Sequence, residues 1–269
     1  MPKSNTVARR QLATLAFATL TTQAKAQNGP TMTAQAKTLA PTGPLRAAIN
    51  FGNPVLAQRA PDGTPQGVSV ALSTELAKRL GIPLAIIPFD QAGKVTEALP
   101  DNLWDICFLA QDPVRGQGIA FTAPYVLIEG VYAVRNAAPF KAIDDIDNDG
   151  VTVGVVQGSA YDLYLTRALK RAVLSRYRSN KDAAHALVAG TVPVLAGVKQ
   201  PLAALVAANP GHRLIPGRFM SIEQTMGTPN TRPPEALAAL QAFIAEMKTS
   251  GFVAQALAAT GQQDAQVAP

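Results

Sequence analysis

The amino-acid sequence predicts an α/β fold. Short apolar strand candidates alternate with amphipathic helix candidates along most of the chain. The strand candidates are apolar on both faces, as suits parallel strands covered by helices on either side. Of the 269 residues, 48% are hydrophobic and 16% charged, which supplies a sizeable core and excludes a wholly disordered chain. The single cysteine excludes an intramolecular disulfide and a cysteine-rich zinc site.

The chain opens with Lys3, Arg9 and Arg10, then the short apolar run Leu12 to Leu20, then Ala24-Lys25-Ala26. A basic region, an apolar region and a small-x-small site, in that order, describe a cleavable signal peptide over residues 1–26. Nine residues as a helix span about 14 Å, too short for a bilayer core of about 30 Å. The Arg9-Arg10 pair resembles a twin-arginine signal, and no cysteine near the cut allows a lipoprotein. The expected location is the periplasm. The signal also carries much of the basicity: four of the 24 basic residues and none of the 18 acidic ones precede the cut, so +6 becomes +2. A nucleic-acid partner is therefore not expected.

Residues 27–43, rich in Gln, Thr, Pro and Gly, read as a flexible lead-in. Strands are predicted at Leu45 to Ile49, Leu84 to Pro88, Asp105 to Leu109, Val131 to Val134, Val151 to Val155, Val192 to Leu195 and Arg213 to Ile215. Ser69 can cap a helix to Leu80, where Val70, Leu72, Leu76 and Leu80 share a face and Gly81 stops the run. Further helices are predicted at Val95 to Leu99, Tyr161 to Ala172, Asp182 to Val188, Gln200 to Ala208, Pro234 to Lys248 and Phe252 to Ala259. The acidic turn Asp144 to Gly150 reads as a connection between two lobes.

Six segments, in this order and spacing, resemble solute-binding protein family 3, the type 2 periplasmic binding proteins that serve ABC importers. They are LRAAINFGNP (45–54), GVSVALSTELAKRLG (67–81), WDICFLAQDPVR (104–115), FTAPY (121–125), VTVGVVQGSAYDL (151–163) and GFVAQAL (251–257). The resemblance implies two lobes, each a mostly parallel sheet flanked by helices, joined by two hinge crossings near Val131 to Arg135 and Met220 to Gln224. Lobe 1 would take residues 44–133 and 223–262, lobe 2 residues 134–222, leaving 263–269 as a tail. A small solute would sit between the lobes, held by hinge closure, and pass to an inner-membrane ABC permease. The protein would be a monomer without cofactor or metal, and not an enzyme.

In open α/β sheets ligands gather beyond the carboxyl ends of strands. Asn50, Phe51, Gln111, Asp112, Gly158 and Ser159 follow predicted strands, and Gly158-Ser159-Ala160 could offer N–H groups to a carboxylate. The resemblance implies that Arg115 grips a ligand carboxylate, a task for which the guanidinium fork suits arginine and not lysine. Departures from the family pattern are Ala110 and Asp112 where Ser and Thr are usual, Asn53-Pro54-Val55 in the first loop, and Gly197 where amino-acid binders carry an aspartate for the ammonium. Lys199 lies close to Gly197, and Asp112 or Glu129 could supply the missing negative charge; an amine-free acid is the other option. Phe51 could stack on a flat ligand or plug the core.

Other signals carry less. Counting twelve positions from Asp145 reaches Val156, so the EF-hand-like opening lacks its bidentate acid. The basic cluster Arg167, Lys170, Arg171, Arg176, Arg178 and Lys181 lacks stacking aromatics and reads as a solvated face. The rival reading is a cyclohexadienyl dehydratase-like enzyme on the same fold, with Glu129 or Asp112 as general acid beside Arg115. An orphan or sensory binding domain is the third.

Overall fold

The computed structural model describes Met1 and residues 33–269. The expected signal peptide and the start of the lead-in lie outside the described residues. No described helix is long and apolar enough to cross a membrane.

The assigned flexible lead-in ends in a helix, α1 (Ala34–Leu39), because Thr33 Oγ1 accepts the Ala36 N–H and Ala36 and Leu39 are fully buried. There follow β1 (Leu45–Asn50), the small hairpin β2 (Gln58–Arg59) and β3 (Pro65–Gln66) about Asp62-Gly63, α2 (Val68–Leu80), β4 (Leu84–Phe89), α3 (Ala92–Glu97) and β5 (Ile106–Ala110). Ser69 does not cap α2, which starts after Gly67 without a side-chain cap; the serine is buried, its hydroxyl 3.4 Å from that of Tyr125. A 3-10 turn (Arg115–Gln117) leads into the 17-residue strand β6 (Ile119–Arg135).

The middle of the chain comprises β7 (Thr152–Val156), α4 (Ala160–Ala168), β8 (Val173–Tyr177), α5 (Asn180–Ala189), β9 (Val194–Val198), α6 (Lys199–Ala208) and β10 (His212–Leu214). The chain returns by β11 (Met220–Pro229), α7 (Pro234–Thr249), α8 (Phe252–Ala258) and β12 (Gln266–Val267). The helix predicted through Ala172 stops at Ala168, and the next residues feed β8. Asp147 explains the break: its carboxylate accepts the N–H groups of Lys170, Arg171 and Ala172 at 2.8–3.0 Å. The acidic turn therefore folds back onto the α4–β8 corner and is not an interlobe connection.

The strand order is β4-β1-β5-β11-β6-β9-β7-β8. β4, β1 and β5 are parallel at one end, and β9, β7 and β8 are parallel at the other. Between them β6 and β11 pair antiparallel from Ile119↔Pro229 to Gly130↔Met220 and belong to both halves. On β6, Gly130 to Val134 already pair with β9, and on β11, Gln224 to Gly227 pair with β5. The stretch outside the β5 and β9 ladders is thus Leu127–Glu129 against Ser221–Glu223. The second crossing lies where the sequence reading puts it, but Val131 to Arg135 is already inside the second half. Pro124, Glu129 and Gly130 interrupt the apolar pattern of β6 and hide its first twelve residues from a strand reading. The expected tail supplies β12, which pairs with β6 at Val126 and Leu127.

The first half is anchored by Asp105, which is fully buried. One carboxylate oxygen accepts the backbone N–H and Nε of Arg46 at 3.0 Å each; the other accepts from Arg46 at 2.7 Å and Arg232 at 2.6 Å. Its own carbonyl takes the Thr228 hydroxyl at 2.9 Å. One side chain thereby ties the starts of β1 and β5 to the end of β11. Removing one partner of a buried ion pair strands the others and typically costs about 3–5 kcal/mol. Asp105→Ala is expected to lower unfolding free energy by about that amount. Urea denaturation monitored by circular dichroism checks this, and a loss below 1 kcal/mol would contradict the anchor role.

Candidate functional site

A cavity of about 330 Å³ lies between the two halves. It is bordered from the first half by the loop after β1 (Asn50 to Asn53), the β4–α3 turn (Asp90 to Ala92) and the end of β5 (Phe108 to Ala110). The second half contributes the α4 start (Ser159 to Tyr161), α5, and the β9–α6 corner (Leu195 to Leu205). The hinge strand adds Ile222 and Gln224. These are the carboxyl ends of the parallel strands, where loops diverge and a ligand can approach main-chain groups.

Arg115 lines this cavity and is only 2% exposed. Its 3-10 turn is shaped by Asp112, whose Oδ1 accepts the Val114 N–H at 2.8 Å and whose carbonyl accepts that of Gly116. The guanidinium donates to the Ala110 carbonyl at 2.9 Å and, across the cleft, to the Gly158 carbonyl at 2.8 Å. Its Nε–H is buried with no partner. Burial pushes its pKa down to about 10, with the Asp112 charge opposing, so the group stays cationic at neutral pH. A buried cation with an unused N–H is poised for an anion.

Among the described residues, three polar contacts cross the cleft. Besides Arg115 to Gly158, Asn180 Nδ2 donates to the Gly52 carbonyl at 2.8 Å, and Arg167 reaches the buried Asp112 carboxylate at 2.6 Å. The halves also meet backbone to backbone at Gly93 and Gly158. Gly158 has φ +69°, and a Cβ there would lie 2.8 Å from the Gly93 Cα. Glycine at 158 meets both demands, a left-handed backbone and a close approach.

Of the sequence-predicted site residues, Asn50, Ala110, Arg115, Ser159 and Ala160 line the cavity. Gly158 contributes its carbonyl to Arg115. The N–H cradle expected at Gly158-Ser159-Ala160 is largely spent internally: Gly158 N–H goes to Asp162, Ser159 N–H to the Val156 carbonyl, and Ser159 Oγ accepts from Asp162 as the α4 cap. Phe51 is not part of the cavity lining; its ring packs against the core, with the Arg59 guanidinium over it at 4.2 Å. Gln111 is exposed outside the cavity, its N–H donated to the Glu223 carbonyl.

Asp112 is held by Arg167 and the Arg115 turn, away from the lining. Glu129 and Lys199 pair with each other at 2.6 Å beside a separate hollow that also holds Arg218, 3.3 Å from Glu129. The Lys199 hydrogen bond first, with Arg218 adding, holds the Glu129 carboxyl below the usual range. Sequence reasoning missed Gln91, Asn180 and Gln224, none of which stands in a motif. Gln224 was legible only as part of a crossing strand. It also missed the apolar wall of Leu202 and Leu205, whose helix read simply as core.

Residues 45–259 match the sequence pattern of the bacterial extracellular solute-binding proteins, family 3. No curated protein matches the chain. Among solved structures, the solute receptors for L-cysteine of Neisseria gonorrhoeae are similar at TM-score 0.72 and 21% identity, covering 84% of this chain and 92% of that one. A mutant of ArgBP from T. maritima gives TM-score 0.71 and 21% identity over 84% of this chain and 99% of the other. An ancestral amino acid-binding protein described as a precursor of cyclohexadienyl dehydratase gives 0.67 and 21%, over 81% and 94%. At these identities the likeness establishes the fold.

The glycine contact makes a test of how the halves close. Gly158→Ala is expected to cost about 1–2 kcal/mol from its left-handed backbone alone and to hold the halves apart. Gly93→Ala sits in a helical backbone and places a Cβ 3.3 Å from Gly158 Cα, a milder obstruction without that strain. In small-angle X-ray scattering the radius of gyration should increase in the order wild type, Gly93→Ala, Gly158→Ala. Identical profiles for all three would rule out this contact as a limit on closure.

Proposed function

The chain belongs to the bacterial extracellular solute-binding proteins of family 3, and on that premise we propose that it is the periplasmic receptor of an ABC importer for a small carboxylate-bearing solute. One observation carries the reading: a buried arginine in the interlobe cavity keeps a hydrogen-bond donor with no partner. A carboxylate offers the flat pair of acceptors that a guanidinium edge matches. The printed names of the structural neighbours, which concern arginine, L-cysteine and amino acids at large, support an amino acid or a close relative of one.

Binding would work by hinge closure. β6 and β11 are the only strands that belong to both halves of the described structure. In the segment Leu127–Glu129 against Ser221–Glu223 they lack the flanking β5 and β9 ladders, and register shifts follow directly at Gln224/Thr225 and Thr225/Gly227. Irregularities of this kind let a strand pair bend locally. A ligand touching Arg115 on one side and the α4–α6 wall on the other stabilises the closed arrangement, the state a membrane permease would recognise. We assign the lobes accordingly, the first containing β1–β5, α7 and α8, the second β7–β10, and treat the receptor as an exported monomer.

The dehydratase alternative needs a carboxylic acid that can donate a proton near Arg115. Glu129 is ionised by its two cationic partners and lies outside the cavity, and Asp112 is engaged by Arg167. Neither side chain supports that chemistry, so the binding reading is preferred.

Isothermal titration calorimetry of the mature protein against amino acids, their amides and simple organic acids tests the proposal. A cognate solute at a hundredfold excess over its Kd should add about 2.7 kcal/mol of stability. Arg115→Ala is expected to weaken binding by about 2–5 kcal/mol, and Arg115→Lys, which cannot fork, to recover only part of it. The unliganded melting temperature of each variant controls for the lost bonds to Ala110 and Gly158. Unchanged affinity in a folded Arg115→Ala protein would remove the carboxylate assignment.

A further inference from the structure

We infer that the solute is an amine-free carboxylate carried on an apolar body, so that the cavity selects against the α-ammonium of an amino acid. The inference rests on the receptor reading above and goes further, because it names which carboxylates the site accepts.

Charge comes first. The charged residues lining the cavity, among those described, are Arg115, Lys181 and Asp90, and Asp90 is exposed. Three further acids are committed elsewhere: Asp112 to Arg167, Asp162 to Arg176 and the Gly158 N–H, Glu129 to Lys199 and Arg218. An ammonium carried in beside Arg115 would meet a like charge, and the acid among the described lining residues, Asp90, is exposed and not buried. A buried charge without a partner is strongly disfavoured.

The wall opposite the first half gives the second line. It is built of Leu195, Val198, Pro201, Leu202, Leu205 and Ile222. At its centre is Gly197, and a Cβ on Gly197 would already meet Leu202 side-chain atoms at 3.1–3.4 Å. The leucine occupies the space a polar side chain at 197 would need. This surface contacts hydrocarbon and offers nothing to an ammonium.

Hydrogen-bond supply is the third. Two buried donors without partners, Arg115 Nε and Gln91 Nε2, belong to residues of the lining. The buried acceptor without a partner, Gln200 Oε1, does not. The fully buried side-chain groups of the lining that go unpaired are thus donors, which a carboxylate can meet, alone or with an adjacent oxo oxygen; an ammonium brings three more donors.

Matched pairs measured by calorimetry decide the matter: 4-methylpentanoate and 4-methyl-2-oxopentanoate against leucine, and 3-phenylpropanoate against phenylalanine. We expect at least one amine-free acid to bind, and each binding acid to do so at least tenfold more tightly than its 2-amino counterpart. An amino acid that binds as tightly as its deaminated partner, or more tightly, overturns this inference and leaves the receptor reading standing. Binding by none of the acids, amino acids or amides overturns both. The wall supplies a second measurement. In a Leu202→Ala background, which clears the space, Gly197→Asp should shift the acid-to-amino-acid affinity ratio at least tenfold toward the amino acid. An unchanged ratio in that folded double variant would show that the wall does not set the preference.

Discussion

The antiparallel pairing of β6 with β11 is the constraint on which the rest of the molecule depends. Each strand is laid down far from the other in sequence, and together they are the main-chain seam between two parallel sheets. A parallel sheet needs helical crossovers and cannot grow by hairpins alone. Two such sheets in one chain therefore need a place where the chain passes from one to the other and returns. Pairing the outgoing and returning strands satisfies their backbone groups in the process. It also leaves a short stretch outside both parallel ladders, flanked only by β12 at Leu127.

The same topology explains where the charge resides. With the carboxyl ends of both sheets facing one cleft, the side chains there are enclosed on two sides. Charges that remain must find partners or be excluded. Asp112, Asp162 and Glu129 are each matched by a cation from the second half, and Asp105 is buried among two arginines at the base of the first. Arg115 lines the cavity with its bonds made to carbonyls, which accept hydrogen bonds without cancelling its charge. In the proposed function, a ligand's anion meets that electrostatic demand.

The legible part of the sequence was periodic. β1, β4 and β5 announce themselves as short apolar runs, α2 as a spaced stripe closed by Gly81, and α7 as a long amphipathic helix behind Pro234. β6 was only half visible, because a strand that changes surroundings midway carries Pro124, Glu129 and Gly130 where its environment changes. β8, with Ser175 and Arg176 in a sheet-edge strand, was assigned no element, the preceding helix having been read as far as Ala172. In the site, Arg115 stood out through its place after β5. Asp112, Glu129 and Lys199 were eligible by spacing alone, since pairing with Arg167 or with one another is a long-range event that no local pattern records.

The sequence by itself determined the alternation of helices and strands, the parallel character of the sheets and the position of one arginine beyond the third core strand. The first two follow from local periodicity and from the burial each segment demands; the arginine was singled out by the resemblance to the solute-binding family. Only the tertiary structure decided which charges neutralise one another, that Leu202 fills the space beside Gly197, and that Arg115 reaches across to Gly158. These depend on which surfaces meet when distant segments pack, and the nearest-neighbour order of residues does not specify that.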